Sequence, residues 1–338
     1  MSDDLTAVPQ SVRERLILAH QITAIQLVSG GMSGASVFRC EGPQRYALRR
    51  WPPTSVARFR EIHRVVETAG GECKLFPKWH IAADQSDLVL DEHRVIWDLC
   101  DWMPGEPLET SATQEQIVRG VAAIAIAHRG MARLGEDVGT SAAVAERIQR
   151  VRAIQRQLPR ALARIDGTPS QLLSTLQEAR RVLIRWETVW DALTRRLASL
   201  EQDQFLRHFV LRDIHREHIL FQDGTPSGII DFDAIRRDTP LLDLSRWVAG
   251  FDQFRDRPAE VIDAALAGYR GEKRFRAGTD GSQDRKLVGL LAAATTWIGL
   301  ANWVVWIALD SRQFSDWQRV RMRIARLVDL APRLRDWI

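Results

Sequence analysis

Lysine is nearly missing from this chain. Of 47 basic residues in 338, only four are Lys, at positions 74, 78, 273 and 286, and the rest are Arg. The formal net charge is only +4, and no basic run is interleaved with aromatics, so a groove that tracks nucleic acid is not expected. Cysteine is also scarce. Cys40, Cys73 and Cys100 stand alone with no CxxC pair, which argues against a disulfide framework and for reduced, buried thiols in a cytoplasmic protein. The N-terminal MSDDLTAVPQ carries acids and no apolar run, so no signal peptide is expected. Charge itself is absent from Leu287 to Leu309, 23 positions, which is long enough to span a bilayer. Thr295, Thr296, Asn302 and two glycines interrupt that run. It reads as the central helix of a helical lobe, apolar all round, and no membrane partner is expected. What remains is 45% apolar and 27% charged, a globular composition of about two domains by length.

The first hundred residues are strand-rich. Ala24–Val28, Ser36–Cys40 and Arg45–Trp51 alternate or run apolar, with a glycine-rich turn after the first and Glu41-Gly42-Pro43 after the second, the pattern of a three-stranded meander. A helix is predicted over Thr54–Ala69, then strands near Asp87–Leu90 and Val95–Trp102. Met103-Pro104-Gly105 marks the joint between an N-terminal domain, 1–104, and a helical domain, 105–338. Gln114–Arg133 is helical. Leu172, Leu176, Ala179, Leu183, Trp186 and Trp190 begin a stripe spaced by three and four that continues to Leu200, and Val144 to Ile165 carry a matching one. Together they predict a helical hairpin near 142–202 with facing seams, kinked or divided at Pro159, and a route to oligomers.

The stretch from His208 to Asp243 carries the chemistry. Asp213 lies in a polar loop before the apolar Ile219-Leu220-Phe221, and Asp231 ends a second short strand after a turn at Asp223-Gly224. A β-hairpin would bring the two carboxylates together. One could accept a hydroxyl proton while the other holds a metal–phosphate, the layout of phosphoryl transfer. Upstream, Gly30, Gly31, Ser33 and Gly34 form a strand-to-strand loop whose amides could approach phosphates unobstructed.

In order along residues 20–310, these segments resemble the aminoglycoside phosphotransferase / choline kinase-like family, small-molecule relatives of the protein kinases. The Gly30–Gly34 loop resembles the family's nucleotide-positioning loop, and Ala47-Leu48-Arg49 stands where kinases have the Ala-x-Lys strand. The resemblance therefore implies Ala47 near adenine, Arg49 on phosphate, and Glu61, in Arg60-Glu61-Ile62-His63-Arg64, as the ion-pair partner of Arg49. Leu211-Arg212-Asp213 through His218 matches the H-G-D-x-x-x-x-N catalytic loop, and Asp231-Phe232-Asp233 the metal-binding D-F-G. Asp213 is then the catalytic base and Asp231 a metal ligand, with Asp233 and His218 as further candidates. The implied fold is α+β and two-lobed, kinase-like, with a small β-rich N-lobe and a large helical C-lobe. The implied cofactors are ATP (or GTP) and Mg2+, with Mn2+ the alternative.

Three departures bear on activity. Arg49 replaces Lys, keeping the charge but trading a point ammonium for a planar fork. His218 replaces Asn, although Mg2+ prefers oxygen donors; it could meet phosphate as imidazolium, ligate Mn2+, or mark a site without a second metal. Leu211-Arg212 replaces His-Gly. Arg212 could aid catalysis electrostatically or pair with Asp213 and silence it. The expectation is an ATP-dependent phosphotransferase acting on a small-molecule hydroxyl; the alternative is a catalytically impaired kinase-like module that binds nucleotide or a partner. Between Ser141 and Leu200 there are 11 Arg, no Lys and 5 acids. That sign suits a neutral or anionic acceptor rather than a polycationic aminoglycoside.

Overall fold

The computed structural model describes residues 8–28, 36–52, 54–71, 73–270, 281–314 and 316–338. The chain divides into two compact units. The first is Met1–Pro107 with His218–Asp233; the second is Leu108–Glu217 with Ala234–Ile338. A small β-sheet lobe and a large helical lobe, α+β in class, are what the sequence indicates.

The first unit opens with α1 (Gln10–Val12), extended by a wider turn over Arg13–Ile17. Strands β1 (Ala24–Val28), β2 (Ser36–Glu41) and β3 (Arg45–Arg50) form the predicted meander, and helix α2 (Val56–Gly70) follows, capped by the Ser55 hydroxyl on the Arg58 amide. Strands β4 (Trp79–His80), β5 (Val89–Leu90) and β6 (Ile96–Asp101) complete an antiparallel sheet of order β1-β2-β3-β6-β4, with β5 also on β6. Its core gathers Leu16, Ile25, Phe38, Leu48, Trp97 and Leu99. Cys40 and Cys100 are buried and free, and burial pushes both thiols up to about 12, as inert core residues. A second sheet pairs β7 (Glu106–Pro107) with β10 (Ile219–Gln222) and β10 with β11 (Thr225–Ile229). The tight turn between β10 and β11 has Asp223 and Gly224 at φ 51° and 72°, as a two-residue hairpin loop demands. Gly105 (φ 98°) has room only for hydrogen: a Cβ would meet the Phe221 carbonyl oxygen at 2.6 Å.

The second unit contains α3 (Gln114–Ala132), started by a Thr113/Gln116 capping box, then β8 (Asp137–Gly139), α4 (Ala142–Ala163), α5 (Ser170–Arg185) and α6 (Val189–Ala198). Strand β9 (Phe205–Val210) pairs with β8 and with β12 (Arg236–Asp238). Helices α7 (Leu241–Val248), α8 (Asp252–Asp256), α9 (Pro258–Arg270), α10 (Gly281–Val304) and α11 (Trp317–Arg333) follow. The single stripe from Leu172 to Leu200 is carried by two helices rather than one. Backbone geometry breaks at Trp186 (φ −115°, ψ 35°), so that α5 packs on α11 while α6 packs on α4. Tertiary packing decides this, since 186–188 holds neither Gly nor Pro. Helix α4 runs undivided through Pro159, which lies about one turn from its end, where a lost intrahelical bond is least disruptive.

The uncharged run is the interior helix of this unit. Gln283–Leu309 is long and apolar enough to cross a membrane, but 83% of its most apolar window is buried against the protein itself. Helix α10 packs against α4, α7, α9 and α11, and Trp297 meets Trp190 edge to face at 6.2 Å. Packing between α3 and α7 is equally close. A Cβ on Gly120 would fall inside the indole of Trp247, which is fully buried and donates its Nε1 proton to the Ile117 carbonyl. Gly120→Ala is expected to cost about 1–3 kcal/mol by overpacking. Urea denaturation measures it, and a loss under about 0.5 kcal/mol would contradict this packing.

Candidate active-site residues

Strand β3 presents Ala47 and Arg49 on one face, two residues apart. Arg49 does not take Glu61 as its partner. Glu61 pairs with Arg58 at 2.6 Å, and Arg49 grips Asp98 through Nε (2.9 Å) and Nη2 (2.6 Å). The reason is register and solvation. Asp98 on β6 lies directly opposite Arg49 and is only 2% exposed, whereas the Glu61 side chain is 41% exposed. A buried carboxylate needs a cation far more than an exposed one does. The Trp51 indole (2.7 Å) and His63 Nε2 (3.0 Å) complete the shell on Asp98 Oδ2. Arg49 lies over Trp51 and Trp79, with ring centroids at 4.8 and 4.6 Å. Burial alone would raise the Asp98 carboxyl, but the Arg49 charge and these hydrogen bonds hold it down at about 2. Burial likewise opposes the Arg49 charge, yet Asp98 keeps that guanidinium above its ordinary value. The Nη1 atom makes no hydrogen bond among the described residues, so the cation is fixed in place with protons left to donate. Gly30, Gly31, Ser33 and Gly34 lie outside the described residues.

The hairpin β10–β11 leads into Asp231, whose backbone turns left-handed at φ 67°. The segment is tied down around it. Ile230 donates to the His218 carbonyl, Arg58 Nη2 to the Asp233 carbonyl (3.1 Å), and Phe232 is buried against Phe76 and Trp79. His218 Nε2 stands 3.5 Å from Asp231 Oδ2. Burial, the largest influence, with repulsion from Asp231 and Asp98, pushes the Asp233 carboxyl up to about 6 against the pull of Arg49 and Arg58. Among the described residues no three His, Cys, Asp or Glu side chains form a metal cluster. The donor set still suits a hard divalent ion that shares its shell with phosphates and water, since one or two carboxylates suffice for that. Asp231 and Asp233 repel one another and would supply the oxygens to such an ion, which would relieve the repulsion. His218, a nitrogen donor, suits Mg2+ poorly.

Asp213 belongs to the second unit and Asp231 to the first. The Asp213 loop hangs from a buried carboxylate. Asp243, at the start of α7 and fully inaccessible, accepts the Leu211 and Arg212 amides at 2.7 Å each, and His128 Nε2 lies 2.9 Å from it. Tyr269 on α9 holds the other side of the His128 ring at 2.8 Å. Arg212 has φ 63°, a conformation that favours glycine, and glycine is what the family pattern has there. Its side chain pairs with Glu146 of α4, not with Asp213. Asp213 Oδ1 instead accepts from Arg246 Nη1 at 2.6 Å, with His215 Nε2 at 2.9 Å, while its side chain stays 41% exposed. Asp98, His63 and Arg246 were not among the residues singled out from sequence. An acid flanked by apolar residues inside the strand Ile96–Asp101 was the available signal for Asp98. Arg246 offers none, since it sits 33 residues from Asp213 on helix α7.

A family model, the phosphotransferase enzyme family, matches residues 24–278. The chain belongs to that family. Phosphoryl transfer of the kinase type is the general activity that this membership supports. No curated protein matched the sequence. Among solved structures, spectinomycin phosphotransferase in complex with ADP and spectinomycin is 12% identical, with 98% of each chain covered and a TM-score of 0.64. Amicoumacin kinase in complex with AMP-PNP, Ca2+ and Ami is 13% identical, covering 99% of this chain and 96% of that one, at 0.62. An aminoglycoside phosphotransferase from Alicyclobacillus acidocaldarius is also 13% identical, over 98% and 94%, at 0.58. At such identities the likeness is one of fold.

Proposed function

We propose that this member of the phosphotransferase family transfers the γ-phosphoryl group of ATP to a hydroxyl of a small neutral or anionic metabolite. The observation that carries the reading is the setting of Asp213, a half-exposed carboxylate on a loop whose amides are clamped by buried Asp243. Asp213 accepts the proton of the attacking hydroxyl, with Arg246 fixing the orientation of its Oδ1. Arg49, immobilised by Asp98, offers its remaining N–H groups to phosphate oxygens. Asp231 and Asp233 would hold Mg2+, or Mn2+ with help from His218, and the bound ion supplies charge neutralisation on the phosphates. Little else is required of the protein, since phosphoryl transfer rests on positioning and electrostatics.

A specific contact favours the second reading, an impaired nucleotide-binding module: Asp213 is already charge-paired with Arg246. Thermal-shift titration with ATP or GTP, with and without Mg2+ or Mn2+, tests nucleotide use. The expected result is a rise in melting temperature that needs the metal and is lost in Asp231→Asn. No rise with either nucleotide would sink the reading.

A further inference from the structure

The N-terminal half of α4 carries two cations with no ion-pair partner among the described residues. Arg147 and Arg150 are three residues apart, on one helical face, and both are held by neutral acceptors on α10. Arg147 donates to Thr295 Oγ1 at 2.9 Å and to the Ala143 carbonyl at 3.2 Å, and Arg150 Nε donates to Asn302 Oδ1 at 2.7 Å. Thr295 is a fixed acceptor, because its own hydroxyl proton goes to the Leu291 carbonyl. Neither arginine has a carboxylate within ion-pair distance among the described residues, whereas the similarly enclosed Arg49 and Arg58 each have one at 2.6 Å.

Around Arg147 cations and carboxylates are mixed, and neither sign pairs with it. Burial, and then the charges of Arg246 and Arg212, push the Arg147 guanidinium down to about 9, with Asp238 and Glu146 opposing. It remains a cation at neutral pH. The carboxylates near Arg147 are committed elsewhere: Glu146 to Arg212, and Asp238 to the Ser141 hydroxyl and the Ala143 amide at the start of α4. Asp213 is held by Arg246, and Asp310, which attracts Arg150 without pairing with it, lies 4.0 Å from Arg312. Arg246, which grips Asp213, keeps its Nε buried and without a hydrogen-bond partner among the described residues. A buried guanidinium proton without an acceptor is costly unless something else satisfies it.

We propose that the acceptor substrate carries an anionic oxygen group, a carboxylate or phosphate, and that Arg147 binds it, with Arg246 and Arg150 in support. This rests on Asp213 being the base, because Arg246 links that carboxylate to the cationic cluster. Planar guanidinium groups bind both anions bidentately, and an incoming anion supplies the charge that α4 lacks. Hydroxy acids and phosphorylated polyols are the substrate classes that follow.

Calorimetry on the full-length protein, without nucleotide, tests the site with three probes that share hydroxyls: glycerol, D-glycerate and glycerol 3-phosphate. At least one of the anions is expected to bind, more weakly as salt rises, and glycerol is not. Whichever of the two binds more tightly identifies carboxylate or phosphate as the group recognised. Arg147→Gln should weaken that binding about tenfold or more, the loss of one charge-assisted contact. It should melt no lower than the parent, since it removes a crowded cation, so loss of binding is not loss of fold. Arg147→Lys keeps the charge without the fork and should bind with intermediate affinity. Equal binding of glycerol, no binding of either anion at about 20 mM, or unaltered anion affinity in Arg147→Gln would each overturn the proposal. The phosphotransferase reading fails separately. Anion binding through Arg147 with no ATP-dependent phosphorylation of any hydroxyl probe removes that reading and leaves the site. Phosphorylation of a neutral polyol at a rate indifferent to Arg147→Gln removes the site and leaves the reading.

Discussion

Asp98→Ala is expected to destabilise the protein by about 3–5 kcal/mol, the cost of stranding a buried cation. Asp98 is the only carboxylate paired with Arg49 among the described residues, and it also accepts from Trp51 and lies against His63. Its loss leaves a guanidinium enclosed between two indoles with no paired carboxylate, since Asp233 attracts it without a hydrogen bond among the described residues. Chemical denaturation of parent and variant measures the difference, and a loss within about 1 kcal/mol would show the pair to be dispensable. Replacing both partners together, as Arg49→Met with Asp98→Leu, should recover most of the stability while leaving the phosphate contact unmade. The pair also predicts an acid limb. The folded carboxyl lies near 2, below the ~3.9 of an unfolded aspartate. The folded state therefore binds fewer protons between those values. The contribution is complete above about pH 5, amounts to about 2–3 kcal/mol, and is lost progressively as pH falls from there through 2. In Asp98→Ala that part of the pH dependence should vanish.

Asp213→Asn is expected to lower phosphoryl transfer by about 10²–10⁴-fold, the usual contribution of a general base. The change is local. The loop hangs from Asp243 through its backbone, not through the Asp213 side chain, so Leu211 and Arg212 keep their hydrogen bonds. The metal-dependent nucleotide shift should persist, because its proposed ligands are elsewhere in the chain. Transfer of labelled γ-phosphate to an acceptor reads the first quantity and thermal shift the second. Unchanged turnover would remove Asp213 from the chemistry and favour the impaired-module reading.

Much of this was legible because it is local. The β10–β11 hairpin follows from Asp223-Gly224 between two apolar runs, and the meander of β1 to β3 from alternation and glycine turns. Other features depend on contacts that no spacing records. Asp98 and Arg49 are cross-strand neighbours 49 residues apart, and only the register of β3 on β6 makes them partners. The kinase pattern pointed to Glu61, but an exposed helical acid has water to solvate it and a nearer arginine three residues away. Arg246 reaches Asp213 because α7 turns back after β12. Left-handed backbone at Arg212 and Asp231 left only indirect signs, a glycine in the family pattern at the first place and, at the second, a residue type that tolerates the conformation. The arginine excess in 141–200 was visible as a sum. Which members lack a counter-ion became visible only in the packing of α4 on α10.

The hairpin at residues 218–233 also bears on the order in which the chain is made. It contributes β10 and β11 to the first unit, where β10 pairs with β7 and Phe232 covers Phe76. A nascent chain that ends at Pro107 therefore lacks part of its own unit, and 110 residues of the other must be synthesised before the missing strands emerge. Until then the edge of β7 is unpaired and the apolar surface around Phe76 and Trp79 is open, the conditions under which partly made chains associate wrongly. The segment that supplies the candidate metal ligands is thus also the one that completes the β lobe during synthesis.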